Sequence, residues 1–205
     1  MPRIARLKIT LDDVEPRVMR RVEVPLDIRL DDLHLAIQVA MGWENCHLYE
    51  FRTAKARWGI PDPDGDDFSP AEQLDAAKAT LADLFAKSGR KAFKYLYDFG
   101  DGWQHSIKVE AVAEADNGVA YPRLIAAQNA CPPEDVGGPW GYAEYLEAIA
   151  DPEHERHQEM IDWRGEGFDL AAVDEPAIKK GLAALAKHFA RRKKAPAKRS
   201  GAKQA

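Results

Sequence analysis

The sequence predicts an α+β fold with a largely antiparallel sheet. Segments with the two-residue period of strands come first, segments with helical period close the chain, and no internal repeat relates the parts. With 205 residues the chain can bury a core without disulfide staples.

Residues 3 to 11 alternate, with Leu7, Ile9 and Leu11 on one face and Arg6, Lys8 and Thr10 on the other. Val18, Val22 and Val24 share a face beyond an Asp-Asp-Val-Glu-Pro connection, which predicts a hairpin with a longer loop. Asp31 reads as the N-cap of a helix whose stripe is Leu33, Ile37, Ala40 and Met41 and whose stop is Gly42. Residues 47 to 53 are rich in strand formers and predict a third strand. The prolines and aspartates of residues 61 to 70 predict a loop.

A short helix is expected around Leu81 to Phe85. Phe93, Tyr95 and Tyr97 then alternate with polar neighbours, a Phe-Gly-Asp-Gly turn follows at residues 99 to 102, and Trp103, His105, Ile107 and Val109 share the next strand's face. This is a second hairpin. Pro132-Pro133 and Gly137-Gly138-Pro139 mark a structured loop, and helices follow. One carries Tyr142, Tyr145, Leu146 and Ile149. A second is expected to open at Asp151-Pro152 and run toward Trp163, and a last one carries Ile178, Leu182, Leu185 and Phe189. The expected division is a domain over residues 1 to 190 and a basic, disordered tail over 191 to 205.

Formal net charge is −5, yet the tail holds seven Lys/Arg and no acid, which leaves the first 190 residues at −12. An acidic body repels phosphate, so nucleic-acid attraction is expected mainly from Arg191, Arg192, Lys193, Lys194, Lys198 and Arg199. A solvated tail that binds nothing accounts for the same composition. Two cysteines make no disulfide framework, no secretion signal is visible and no apolar run reaches membrane-spanning length, so the expectation is a soluble cytoplasmic protein.

Three motifs carry a resemblance. Gly42-Trp43 with His47-Leu48-Tyr49-Glu50-Phe51, then residues 95 to 105 (YLYDFGDGWQH), then residues 131 to 142 (CPPEDVGGPWGY) resemble the plasmid pRiA4b ORF-3-like family over about residues 3 to 190. The resemblance implies an α+β domain found in bacteria, archaea and mobile elements, and little about function. Some relatives are labelled transposon resolvases, a label these residues do not support. The first serine, Ser69, lies in a predicted loop, and no tyrosine follows Tyr145 to serve as a nucleophile after the His188-x-x-Arg191 pattern.

Asp98, Asp101 and His105 surround one hairpin, and Glu134 and Asp135 sit in the Pro/Gly loop. Convergence of Asp98, Asp101, His105 and Asp135 would suit a divalent ion or proton transfer, whereas turn aspartates often bond their own backbone, and the spacing favours turn architecture. A zinc set of Cys46, His47, His105 and Cys131 has suitable ligand types and unsuitable spacing. His154 and His157 read as a solvated helix face. The Asp62, Asp64, Asp66 series lacks the glycine and glutamate of a calcium loop, and Cys131 reads as structural. Gly137 to Tyr142 reads as a tight turn with Trp140 and Tyr142 packed inward, ahead of an anion cradle. Tyr97 and Trp103 read as core ahead of a stacking surface.

The preferred expectation is therefore a non-enzymatic binding or accessory module linked to mobile elements or DNA, with a nucleic-acid or protein partner, no membrane and no required cofactor. The alternative is a metal-assisted hydrolase using the Asp/His cluster.

Overall fold

Alternation in the first residues becomes a hairpin. β1 (Arg3–Leu11) pairs antiparallel with β2 (Met19–Pro25), and Leu7, Ile9 and Leu11 are buried while Lys8 and Thr10 point to the opposite face. The structure, a computed structural model, describes residues 2–61 and 72–194. The predicted loop at residues 61 to 70, the Asp62/Asp64/Asp66 series, and Lys198 and Arg199 therefore lie almost entirely outside the described residues.

The second hairpin joins β6 (Ala92–Tyr97) to β7 (Trp103–Glu114), and β7 lies against β1. With β3 (Tyr49–Arg52), β4 (Ala56–Gly59), β5 (Glu72–Asp75) and β8 (Arg123–Gln128) they form one sheet of order β5-β4-β3-β6-β7-β1-β2-β8. All pairings are antiparallel except β4 with β5. The α+β class and the two hairpins agree with the sequence reading; β4, β5 and β8 are additions to it.

One face of the sheet carries the core. Phe51, Trp58, Tyr95, Trp103 and Ile107 are all but inaccessible, each such side chain contributing roughly 1.5–3 kcal/mol of burial. On it lies α1 (Leu30–Met41), whose Leu33, Ile37 and Ala40 are buried and whose C-cap, Gly42, is left-handed at φ 92°. Asp31 does not cap α1. Arg29 occupies that position without a side-chain bond, and Asp31 sits in the first turn, where it accepts from Asp32 N and favours the positive end of the helix. Buried Arg20 of β2 ties the other end: its Nε donates to Ala40 O at 2.7 Å, and its Nη1 donates to Met19 O, Gln128 O and Asn129 O.

The remaining helices are α2 (Leu81–Ser88), α3 (Gly138–Ala150), α4 (His157–Arg164) and α5 (Glu175–Lys194). Tyr142 and Tyr145 of α3 are buried as the stripe predicted, but Trp140 is 89 % exposed because it falls on the opposite side of the helix. Asp151 ends α3 and turns the chain by accepting from Glu153 N, so α4 begins at His157 instead of Pro152. Ile178, Leu182 and Phe189 bury α5's face, and the helix continues past the expected boundary at residue 190 to Lys194. Arg192 is thereby held by an ion pair to Asp32. No described helix is long and apolar enough to cross a membrane.

Candidate functional site

Three segments meet at one end of the sheet: the stretch from Gly42 to His47 between α1 and β3, the turn from Asp98 to Gly102 between β6 and β7, and the loop from Cys131 to Gly137 before α3. The Tyr97 hydroxyl joins two of them. It accepts from Cys46 N at 3.0 Å and His47 N at 3.3 Å and donates to Glu134 Oε1 at 2.5 Å. Glu134 Oε2 accepts from Glu44 N at 2.7 Å, and Trp43 Nε1 donates to Pro132 O at 3.0 Å. From α1, the His34 ring bonds Asn45 Oδ1 through Nε2 and Tyr95 Oη through Nδ1, which fixes the residue two before His47.

The third segment is admitted by glycine. Gly138 lies at φ 69°, and a Cβ there would stand 2.3 Å from Asp101 O; a Cβ on Gly141 would stand 2.0 Å from Val136 O. The loop can lie on the 98–102 turn only because those atoms are missing, and Asp101 Oδ2 accepts from Gly137 N at 3.2 Å to hold it there.

The product of this assembly is a cluster of His47, Asp98 and Asp135, whose ligand atoms all lie within 4.8 Å of one another. His47 Nε2 is 3.1 Å from Asp135 Oδ1 and 3.6 Å from Asp98 Oδ2, yet it is shielded from water and makes no hydrogen bond. Asp98 is buried and spends its other oxygen on Gly100 N at 2.9 Å, whereas the Asp135 side chain is 71 % exposed. Both aspartates hold left-handed backbone, φ 55° and 61°. An imidazole with two carboxylates suits a divalent ion of the zinc or manganese kind, with its fourth side toward solvent. Beside it is a cavity of about 260 Å³ bordered by Trp43, Glu44, Cys46, Glu134, Asp135 and Trp163. Leu48 and Phe99, the chain neighbours of His47 and Asp98, are exposed, as is Trp140.

The family described as plasmid pRiA4b ORF-3-like protein matches residues 3–177. The chain belongs to this family. An uncharacterized protein, y4hQ, of Sinorhizobium fredii (strain NBRC 101917 / NGR234) is 50 % identical over 190 residues, covering 92 % of this chain and 95 % of that one. The crystal structure of a protein of unknown function, MM3350, from Methanosarcina mazei Go1 has the same fold at a TM-score of 0.76 and 34 % identity, covering 86 % of this chain and 97 % of that one. Neither description names an activity.

In this pRiA4b ORF-3-like chain the sequence candidates part company. Asp98 and Asp135 come together, but their imidazole is His47. His105 is fully buried against the Trp43 and Tyr95 rings, its Nδ1 facing Tyr95 O and Trp103 O, and burial pushes its imidazole down to about 4. Asp101 braces the loop. Cys46 lies with Glu44 and Glu134, where desolvation and the adjacent carboxylates push its thiol up; burial raises that of Cys131, which sits apart from His105 in the loop. The zinc quartet is therefore not assembled.

His154 and His157 do not form a solvated face. His154 lies in the turn before α4 with Nδ1 accepting from Arg156 N, and His157 Nδ1 bonds Ala148 O at 2.7 Å. His47 left no periodic signal because loops place it. Two hints were available, its position inside the first of the three motifs and its ligand type in the zinc set considered above, but that set gave it the wrong partners.

Proposed function

We propose that the chain is a binding module for a divalent metal ion, with His47, Asp98 and Asp135 as protein ligands. The observation that carries this reading is His47 Nε2, a shielded ring nitrogen without a hydrogen bond that faces two carboxylate oxygens. A buried polar atom normally finds a partner, and an ion among the three groups would supply it. Tyr97, Asn45 and Asp101 act one layer out by fixing the segments that carry the ligands.

The metal-assisted hydrolase reading has less support, since its expected proton carrier, His105, is sealed in the core away from the cluster. Calorimetric titration of chelator-treated protein with Zn²⁺ and with Mn²⁺ tests the binding reading. One site is expected for at least one ion, with His47→Ala weakening it by well over 100-fold, beyond the roughly 10–100-fold typical of outer residues. Equal affinity in wild type and variant would remove it.

A further inference from the structure

Away from the metal cluster, pairing of β3 with β6 stops at Arg52 opposite Lys94, while β6 continues to Ala92 with only β7 beside it. The turn after β3 and the connection from α2 diverge there, and a groove of about 470 Å³ opens along the free edge. Five cations line it, Arg52, Lys55, Arg90, Lys94 and Lys108, together with three hydroxyl side chains and no acid. Arg52 is paired with Glu50, and Lys94 Nζ reaches Asp12 Oδ2 at 2.7 Å and Ser106 Oγ at 2.7 Å. Lys55, Arg90 and Lys108 are exposed and have no ion-pair partner among the described residues.

Positive charge continues beyond the groove. Lys108 of β7 stands directly opposite Lys8 of β1 on the face away from the core; Arg21 of β2, the next residue across, is already neutralised by Glu110 of β7, which accepts from its Nε at 2.7 Å and its Nη2 at 2.9 Å. Like charges directly opposite in a sheet are destabilising, and Lys8 and Lys108 are such a pair in a protein whose net charge is −5. An anion beside Lys8 and Lys108 would relieve that remaining conflict. With strands about 4.8 Å apart, the step from Lys108 to Lys8 extends the row of cations by about 5 Å beyond the groove, so that together they span more than one phosphate.

We propose that this groove and row of cations bind the sugar–phosphate backbone of a nucleic-acid strand. Recognition is electrostatic, tolerant of sequence and sensitive to salt, because cations and hydroxyls meet phosphates while the aromatic side chains of these strands are turned into the core. It is independent of the metal cluster and of residues 195–205.

The experiment is fluorescence anisotropy of labelled single-stranded DNA and RNA oligonucleotides with the full chain at two salt concentrations. The variants are Lys55→Gln/Arg90→Gln/Lys108→Gln, Lys198→Gln/Arg199→Gln/Lys203→Gln, and His47→Ala, with inorganic pyrophosphate and unlabelled oligonucleotide as competitors. The groove variant should bind about tenfold more weakly at low salt, with a log–log salt slope shallower by about 2, as loss of three phosphate contacts on a single strand implies. The tail and His47 variants should bind as wild type does. A melting temperature at or above that of wild type shows that the groove variant is folded. No strand binding, unchanged binding by the groove variant, loss confined to the tail variant, or competition by pyrophosphate equal to that by oligonucleotide would each overturn the proposal.

Discussion

Tyr97 serves the core and the site with one side chain. Its ring lies 5.0 Å from that of Trp43 inside the aromatic cluster, and its hydroxyl takes two backbone N–H groups from the segment that presents His47. Strand alternation made the ring's burial legible. The hydroxyl's partners were not, because they lie 37 to 51 residues away in loops that have no period. Tyr97→Phe leaves those N–H groups and Glu134 without their partner and should cost about 1–3 kcal/mol in urea unfolding while weakening metal binding, with the ring's packing retained. A variant as stable and as metal-competent as wild type would refute that role. His105 teaches the reverse. Its spacing from Trp103, Ile107 and Val109 already placed it on the core face, and proximity to Asp98 along the chain gave it a false association with the site.

Among the elements, those that bury a full face were readable and those at the margins were not. β5 and β8 are the sheet's edges, and neither has the alternation of β6 or β7, because an edge strand lies at the core's rim. β4 lies inside β5 but is only four residues long, too short to show a period. Asp151-Pro152 misled for a different reason: the same side-chain bond that caps a helix also closes a turn, and only the fold decides which. The Gly-Gly-Pro signal before α3 was legible as a turn, although its purpose, close approach to Asp101, was not. Gly138→Ala therefore makes a sharp test. The added Cβ meets backbone carbonyl at 2.3 Å on a left-handed residue, so stability should fall by roughly 1–3 kcal/mol and the loop bearing Asp135 should shift, lowering metal affinity. Gly42→Ala, where nothing lies within 4 Å, should cost stability without the loss of metal binding.

For the molecule as a whole, the charge distribution read from composition was incomplete. The sequence assigned positive charge chiefly to the tail, while pairing across strands gathers another set at the β6 edge that no linear window reveals. Global stability should also register the two imidazoles that burial holds down at about 4, His34 and His105. Both are lowered from 6.5, so their neutral forms support the fold above that value and protonation of the unfolded chain draws stability away as pH falls, levelling near 4. Between pH 7 and 5 the loss should be about 2 kcal/mol for each imidazole, read from denaturant midpoints, and a flat profile would contradict their burial in neutral form. Metal binding rests on the cluster of His47, Asp98 and Asp135 that the three motifs assemble. Its most direct test is an anomalous-scattering map from crystals of this chain grown with Zn²⁺ or Mn²⁺. One strong peak is expected about 2.0–2.3 Å from His47 Nε2 and from an oxygen of each of Asp98 and Asp135. An empty cluster in the presence of the ion, or a peak held by other residues, would contradict it.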